Sequence, residues 1–123
     1  MAKVLGIGGV FFKAADREAV NAWYARVLGF DISEWGGATW PHPAIGQTVW
    51  NTFAADSDYF APSTAPFMIN FIVDDLDGVL AKARSEGAEP VGEPINEVYG
   101  KFGWLMDPAG VKIELWEPPA DGS

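Results

Sequence analysis

The sequence contains no cysteine and only one histidine among its 123 residues. The absence of cysteine excludes disulfides, thiol catalysis and thiolate metal sites. The one histidine, His42, lies between Pro41 and Pro43, which predicts an extended surface loop. A single histidine also excludes any metal site that needs two histidines from one chain.

Basic residues are scarce as well, with 8 Lys and Arg against 17 Asp and Glu and a formal net charge of −9. This acidity argues against nucleic-acid binding, because nothing offsets the repulsion of phosphates. It is compatible with a cationic or neutral small-molecule ligand, although it equally serves to keep a protein in solution. No hydrophobic run approaches the roughly 18–20 residues of a membrane span, and residues 1–6 lack the apolar region of a secretory signal. We therefore expect a cytoplasmic protein without a membrane partner.

What is present is a β-α pattern that occurs twice within a chain whose length suits one domain, 1–123. Residues 4–13 predict a strand, Asp16 is placed as the N-cap of a helix, and Gly29 is placed to end it. The apolar stripe of this helix follows the spacing i, i+3, i+4, i+7 and i+8. Its members are Val20, Trp23, Tyr24, Val27 and Leu28.

The pattern recurs after a linker, residues 54–66, that contains Asp, Ser and Pro. Residues 67–73 predict a strand, Asp74 or Asp75 a cap, and Gly87 a helix end. The second helical stripe is Leu76, Val79, Leu80 and Ala83. Further strands are predicted at 30–35, 37–41, 48–53, 88–91, 101–106 and 111–117.

This order predicts an α+β fold of two β-α-β-β-β modules, about 4–53 and about 67–118, followed by a mobile tail, 119–123. Each helix is expected to cover one face of its own sheet. The free faces of the two sheets would then line a shared cleft.

The second module closes with a turn and a strand that carries a carboxylate. Pro108 and Gly110 suit a tight turn, and Asp107 can accept hydrogen bonds from the turn amides. From Val111 the apolar and polar residues alternate, which indicates a half-buried strand. Alternation places Lys112, Glu114 and Trp116 on one face and Ile113 and Leu115 on the other. Glu114 is therefore either a solvated residue of the outer face or a functional acid in a cavity.

Three segments carry a resemblance to a known family. They are the Asp-Pro-Ala-Gly turn at 107–110 with Ile-Glu-Leu at 113–115, Phe-Ile-Val-Asp-Asp-Leu-Asp at 71–77, and Gly-Ile-Gly-Gly-Val-Phe-Phe at 6–12. Together with the duplicated pattern, they make residues 4–118 resemble the vicinal oxygen chelate superfamily. That superfamily includes glyoxalase I, extradiol dioxygenases, and the fosfomycin and bleomycin resistance proteins. The resemblance implies the same two-module fold.

The resemblance also implies where a metal would be bound. The four ligand positions match Gly9, Met68, Glu114 and a residue within 48–52, of which Trp50 is the best match. Three of these four positions carry no usual metal ligand, and a single carboxylate cannot hold a transition metal that needs three or four protein ligands. We therefore expect no metal and no other cofactor.

The predicted functional residues are Glu114 and an aromatic pocket. For Glu114, the alternatives are a structural strand residue and a cleft residue that acts as a base or as an anchor for a cation. Asn70 could orient a polar group or satisfy the backbone, and Tyr99 could belong to a lid or pack a loop. The predicted pocket residues are Gly9, Phe11, Trp50, Met68, Asn70, Tyr99 and Trp104. Core packing or a dimer interface would explain part of the aromatic content equally well.

Three functions fit this pattern. The first is a metal-independent, dimeric binding protein similar to bleomycin resistance proteins. Those proteins sequester a cationic drug in an acidic aromatic cleft. The ligand of this protein would then be a cationic or aromatic small molecule. The second is a glyoxalase-like lyase or isomerase with Glu114 as base or as a residual metal ligand. The third is a scaffold or regulatory partner without a ligand.

Overall fold

The structure is a computed structural model that describes Ala2, Lys3, Leu5 and residues 7–120. Its elements are α1 (Arg17–Leu28), β1 (Ile69–Ile72), α2 (Leu76–Ser85), β2 (Ile95–Glu97), β3 (Gly100–Met106) and β4 (Lys112–Glu117). The described strands form one four-stranded sheet in the order β1-β4-β3-β2. β1 runs parallel to β4, and the other neighbours are antiparallel. The predicted α+β class is therefore confirmed. Val4, Gly6 and residues 121–123, which belong to the predicted first strand and tail, lie outside the described residues.

Helix α1 begins and ends where its capping residues predict. The Asp16 carboxylate accepts a hydrogen bond from the Ala19 N–H at 3.1 Å, which satisfies one of the free amides of the first turn. Gly29 adopts a positive φ of 71° and ends the helix, a conformation that glycine reaches without a steric penalty. All predicted stripe residues except Leu28 are buried, and Leu28 is half-buried.

Helix α2 is capped in the same way, and the structure selects Asp75 over Asp74. The Asp75 carboxylate accepts a hydrogen bond from the Gly78 N–H at 3.1 Å. Gly87 has a φ of 87°, and the Ala88 N–H reaches back to the Ala83 carbonyl at 2.8 Å. This closure is a Schellman-type end built on glycine. Neither helix among the described residues is long and apolar enough to span a membrane.

Both helices contribute to one core with one face of the sheet. The fully buried side chains include Val27 of α1, Leu76 of α2, and Ile113 and Leu115 of β4. The Tyr24 hydroxyl of α1 donates to the buried Asp107 carboxylate at 2.5 Å, which ties the first half of the chain to the second. The expectation of a separate sheet beneath each helix is thus not met in the described residues, because the two helices share a single sheet.

The strands predicted for the first module are wrong for the residues that the structure describes. The described part of 4–13 and the segments 30–35, 37–41 and 48–53 contain no strand. A strand forms only when a second backbone pairs with its N–H and C=O groups along several residues. The described residues of these segments form no such ladder. The hydrogen bond from the Ser33 N–H to the Gly37 carbonyl at 2.9 Å belongs to a turn. Several of their apolar side chains are exposed: 91% of the surface of Phe11 and 78% of that of Trp50 are accessible. Phe30 is half-buried and packs against the core.

One strand of the second module is also placed differently. Residues 88–91 form no strand and make one backbone hydrogen bond to β3, from the Val91 N–H to the Trp104 carbonyl at 2.8 Å. Instead, β2 pairs with β3 as a hairpin whose two-residue turn is Val98 and Tyr99. These two residues lack the Asn-Gly or Asp-Gly signal of a tight hairpin, so the sequence pattern did not indicate it.

Candidate functional site

The turn before β4 fixes the orientation of that strand as the sequence predicted. The Asp107 carboxylate accepts a hydrogen bond from the Val111 N–H at 2.8 Å, and Gly110 adopts a φ of 84°. Ile113 and Leu115 then pack into the helix-covered core. Because side chains alternate along a strand, Glu114 lies on the opposite face of the sheet.

The Glu114 carboxylate is buried and accepts three side-chain hydrogen bonds. Its Oε1 atom accepts from Asn70 Nδ2 at 2.8 Å, and its Oε2 atom accepts from Trp104 Nε1 at 2.9 Å. The Tyr59 hydroxyl donates to the same Oε2 atom at 2.5 Å. Asn70 and Trp104 stand directly opposite Glu114 in the pairing of β1 and β3 with β4. The sheet register therefore supplies two donors, and the linker supplies the third.

Lys112 lies beside this carboxylate on the same face and is 92% buried, with 8% of its surface exposed. Its Nζ atom donates to the Tyr59 carbonyl oxygen at 2.7 Å. The same atom lies 5.3 Å from the centroid of the Tyr59 ring and 5.6 Å from that of the Trp104 ring, within range of a cation–π interaction. Burial lowers the pKa of Lys112, while the charges of Glu114 and Asp58 act against that shift. We call Glu114, Asn70, Trp104, Tyr59 and Lys112 the Glu114 cluster.

Tyr59 covers the cluster from the linker side. Its ring stacks on Phe53, with centroids 5.4 Å apart and planes at 21°, and meets the Trp104 ring edge-on at 6.3 Å. The Ser63 hydroxyl fastens the same linker to the carbonyl of Gly110. Burial, followed by the hydrogen bond to Glu114, raises the pKa of Tyr59 above its ordinary value. The phenol is therefore a neutral donor to a buried carboxylate at physiological pH.

A second aromatic group occupies the hairpin end of the same face. The Trp116 ring lies parallel to the Phe102 ring at 6.2 Å, and its Nε1 atom donates to the Tyr99 carbonyl oxygen at 2.9 Å. The side chain of Tyr99 is 57% exposed at the hairpin turn. Tyr99 thus contacts Trp116 and Phe102, and it contributes no hydrogen bond to the Glu114 cluster.

The structure brings together three of the residues predicted from sequence and leaves others apart. Glu114, Asn70 and Trp104 are in direct hydrogen-bond contact. Phe11 and Trp50 are largely exposed, and so is Gly9, the remaining pocket residue of the first module. Met68 is half-buried immediately before β1. The single histidine, His42, is exposed.

Two members of the cluster had no predicted role. Alternation along β4 did place Lys112 on the face of Glu114, and this signal could have identified it. Tyr59 contacts Glu114 across 55 positions of sequence, and no spacing within the linker indicates such a contact.

The residues at the four implied metal-ligand positions do not fit a divalent metal ion. The side chains of Gly9 and Trp50 offer no metal-binding atom, and that of Met68 offers only a soft thioether. Both oxygens of Glu114 already accept hydrogen bonds. Within the described part of the chain, no three His, Cys, Asp or Glu side chains are grouped so that they could hold a metal.

Two shallow cavities in the described residues lie away from the cluster. One, of about 220 Å³, is lined by residues that include Leu76, Asn96 and Lys101, and the other, of about 240 Å³, lies around Glu97 and Glu117. Neither is lined by a member of the Glu114 cluster. On this face of the sheet the Tyr59 side chain instead contacts the Glu114 carboxylate.

Comparison with solved structures finds proteins of similar fold at low sequence identity. A structure from the mobile metagenome of V. Pseudocholerae aligns over 94% of this chain and 98% of its own, with 18% identity and a TM-score of 0.56. TnmS3, an antibiotic binding protein from Streptomyces sp. CB03234, aligns over 85% of this chain and 88% of its own, with 24% identity and a TM-score of 0.54. A glyoxalase/bleomycin resistance protein/dioxygenase superfamily member from Sphaerobacter thermophilus DSM 20745 aligns over only 40% of either chain, with 24% identity and a TM-score of 0.37.

The sequence itself gives the family directly. No curated protein matches the chain. The family model described as a glyoxalase-like domain, however, matches residues 9–116, which is most of the sequence and both predicted modules. The chain therefore belongs to the glyoxalase-like domain family.

Proposed function

We propose that this protein is a metal-independent small-molecule binding protein of the bleomycin-resistance type, with its site at the Glu114 cluster. One observation carries the proposal: a buried carboxylate is held by donors from β1, β3 and the linker on a sheet face that bears no helix. Buried polar groups that converge in an aromatic setting are the usual features of a ligand site. The similarity in fold to TnmS3, an antibiotic binding protein, supports the same function.

The chemistry of this face suits a ligand with an aromatic ring. Trp104 and Tyr59 offer ring faces and edges, and Phe102 and Trp116 continue the aromatic surface toward the hairpin. Glu114 adds a strong acceptor that fixes the orientation of a ligand donor, since hydrogen bonds to a charged group are the stronger ones. The formal net charge of −9 would attract a ligand with a positive charge over longer distances.

The shared two-module cleft and the homodimer belong to the same proposal. Phe11, Trp50 and Val49 of the first half are exposed, and monomeric proteins rarely leave large apolar patches uncovered. We expect a second copy of the chain to cover these side chains, which would close the cleft over the Glu114 face. A cytoplasmic location remains a prediction from the sequence.

Titration of the purified protein with neutral and cationic aromatic compounds, followed by tryptophan fluorescence, tests the binding function. Trp104 reports on the site because its indole contacts Glu114. Glu114→Gln is the informative variant, since Asn70 can turn its amide to accept from the new NH₂ group and the fold is retained. We expect at least about a tenfold loss of affinity for a ligand that donates to the carboxylate.

Glu97→Gln is the matched control, because Glu97 is an exposed glutamate in the short edge strand β2. We expect its affinity to stay within about twofold of the unmodified protein. The proposal fails if no compound changes the fluorescence. The assignment of the site fails if the two variants lose affinity equally.

The geometry gives less support to the alternative, which is a glyoxalase-like lyase or isomerase with Glu114 as base. Burial of the carboxylate suits a general base, but Oε2 already accepts two hydrogen bonds. A substrate proton would have to approach Oε1 or displace Tyr59. Turnover of glyoxalase-like substrates that disappears in Glu114→Gln would favour this enzyme, and unchanged turnover would remove Glu114 as the base.

A further inference from the structure

The side chain of Tyr59 occupies the Glu114 site in the manner of a ligand. It is the one cluster member that comes from the linker, whereas Asn70, Trp104, Lys112 and Glu114 all lie on the sheet. Its ring is bounded by the stacked Phe53 ring and the edge of Trp104, and its hydroxyl reaches the carboxylate. The surroundings of this ring therefore describe the kind of group that the site accepts.

Those surroundings select for a neutral, electron-rich ring that carries a hydroxyl donor. The Lys112 ammonium lies 5.3 Å from the ring centroid, where it attracts an electron-rich π face and repels a cationic ring. Glu114 Oε2 needs a donor at the end of the ring, because a buried carboxylate oxygen that loses a hydrogen bond is costly. Trp104 meets the ring edge-on, which is a favourable geometry for aromatic pairs.

We propose that the ligand of this site presents a phenolic ring, and that Tyr59 fills the place of that ring until the ligand displaces it. This inference rests on the proposed binding function and names its ligand class. It also excludes ligands whose ring itself carries a positive charge, because the Lys112 ammonium would repel such a ring.

The structure of the linker allows the Tyr59 side chain to be displaced by a ligand. Residues 54–66 contain turns but no helix or strand, and the Tyr59 side chain is 38% exposed. Lys112 holds the backbone carbonyl of Tyr59, so this contact can persist while the side chain rotates away. Asn70 and Trp104 are held by the sheet and remain in place to receive the ligand.

The test removes the tyrosine ring by mutation and then adds a small phenol that can occupy the vacated place. In Tyr59→Ala, p-cresol has the structure of the missing side chain, and toluene and benzylamine are the matched probes without the hydroxyl or with a cation. Binding is measured by tryptophan fluorescence and by the NMR signal of the Trp104 indole N–H, assigned with Trp104→Phe. We expect p-cresol to bind Tyr59→Ala at least about tenfold more tightly than it binds the unmodified protein. We also expect p-cresol to bind Tyr59→Ala at least about tenfold more tightly than toluene does.

Tyr59→Phe is the control, because its ring still fills the site and p-cresol should gain no affinity for it. Equal binding of p-cresol and toluene to Tyr59→Ala would overturn the role of the hydroxyl. Preferred binding of benzylamine at the Trp104 signal would overturn the phenolic class and leave the binding function standing. If no compound of the wider panel binds either form of the protein, both proposals fail.

Circular dichroism shows whether Tyr59→Ala has folded. If it has not, the test is repeated on the unmodified protein, with 2-naphthol and naphthalene as the pair of probes with and without a hydroxyl group. A shift of the Trp104 indole signal by 2-naphthol alone supports displacement of Tyr59, and equal shifts or no shift overturn it.

Discussion

The two halves of this chain carry the same strand and helix pattern, but only the second half builds a sheet. All four described strands lie between Ile69 and Glu117. Ile113 and Leu115 of the second half are fully buried, whereas Phe11 of the first half is 91% exposed. The difference shows that alternation of apolar residues is not sufficient for a strand, because a sheet also needs a neighbouring backbone to satisfy its hydrogen bonds.

The helices of the two halves differ much less. Both α1 and α2 begin at an aspartate cap and end near a glycine with positive φ. A helix satisfies its backbone hydrogen bonds within its own segment, so α1 forms without the strands of its module. Its apolar stripe then joins the core of the second half. The helix of the first module is thus integrated into the core, and its predicted strands are not.

The largest expected effect comes from one truncation made in each half. Leu115→Ala removes a side chain with no exposed surface and should lower the free energy of unfolding by about 2–5 kcal/mol. Leu5→Ala makes the same chemical change at a residue that is 89% exposed in the single chain, and it should cost less than about 0.5 kcal/mol at protein concentrations low enough to keep the protein monomeric. Urea denaturation of both variants measures the contrast.

A cost for Leu5→Ala close to that for Leu115→Ala would break the comparison. It would mean that the first half is buried in solution, as the proposed dimer requires. Sedimentation of the unmodified protein over a range of concentrations would then show whether a second copy covers it.

The second effect concerns Tyr24, which links the first-half helix to the second-half turn. Tyr24→Phe leaves the buried Asp107 carboxylate without one of its donors and should lower the free energy of unfolding by about 1–3 kcal/mol at pH 7. Thermal or urea unfolding measures this loss. Tyr99→Phe, at an exposed tyrosine, is the control and should cost less than about 0.5 kcal/mol.

The same tyrosine predicts a loss of stability in alkaline solution. Burial, reinforced by Asp107, raises the pKa of Tyr24 well above its ordinary value of 10.0 in the folded chain. The folded state therefore holds a proton that the unfolded chain releases. The stability due to Tyr24 is full below pH 10 and falls above it by about 1.4 kcal/mol per pH unit. Tyr24→Phe should have a shallower decline above pH 10, and an identical slope would contradict this assignment.

The smallest expected effects compare the two helix caps. Asp16→Ala and Asp75→Ala each remove a carboxylate that accepts from a first-turn amide and should each cost about 1 kcal/mol. Asp31→Ala, at an exposed position outside both helices, should cost almost nothing. Equal costs for the two caps would confirm that α1 is as well integrated as α2, and a negligible cost for Asp16→Ala would contradict it.

The candidate site was predictable in the part that the sheet positions. Alternation along β4 gave Glu114 its face, and the pairing of neighbouring strands then brought Asn70 and Trp104 opposite to it. Tyr59 could not be predicted in this way. It lies in a linker without periodicity, and its contact with Glu114 depends on how that linker folds back over the sheet.

The sequence by itself determined the two helices, the Asp16 cap, the Asp107 turn and the faces of β4, because each depends on residues within a few positions of one another. It left Asp74 and Asp75 open as the cap of α2. It also excluded cysteine chemistry and left Glu114 as the one usual metal ligand at the four implied positions. Only the tertiary structure decided which predicted strands find a partner, since backbone pairing joins segments that are distant in sequence. It also decided that the Glu114 carboxylate is buried among three donors, because only the pairing of the strands and the folding of the linker over the sheet bring Asn70, Trp104 and Tyr59 to it.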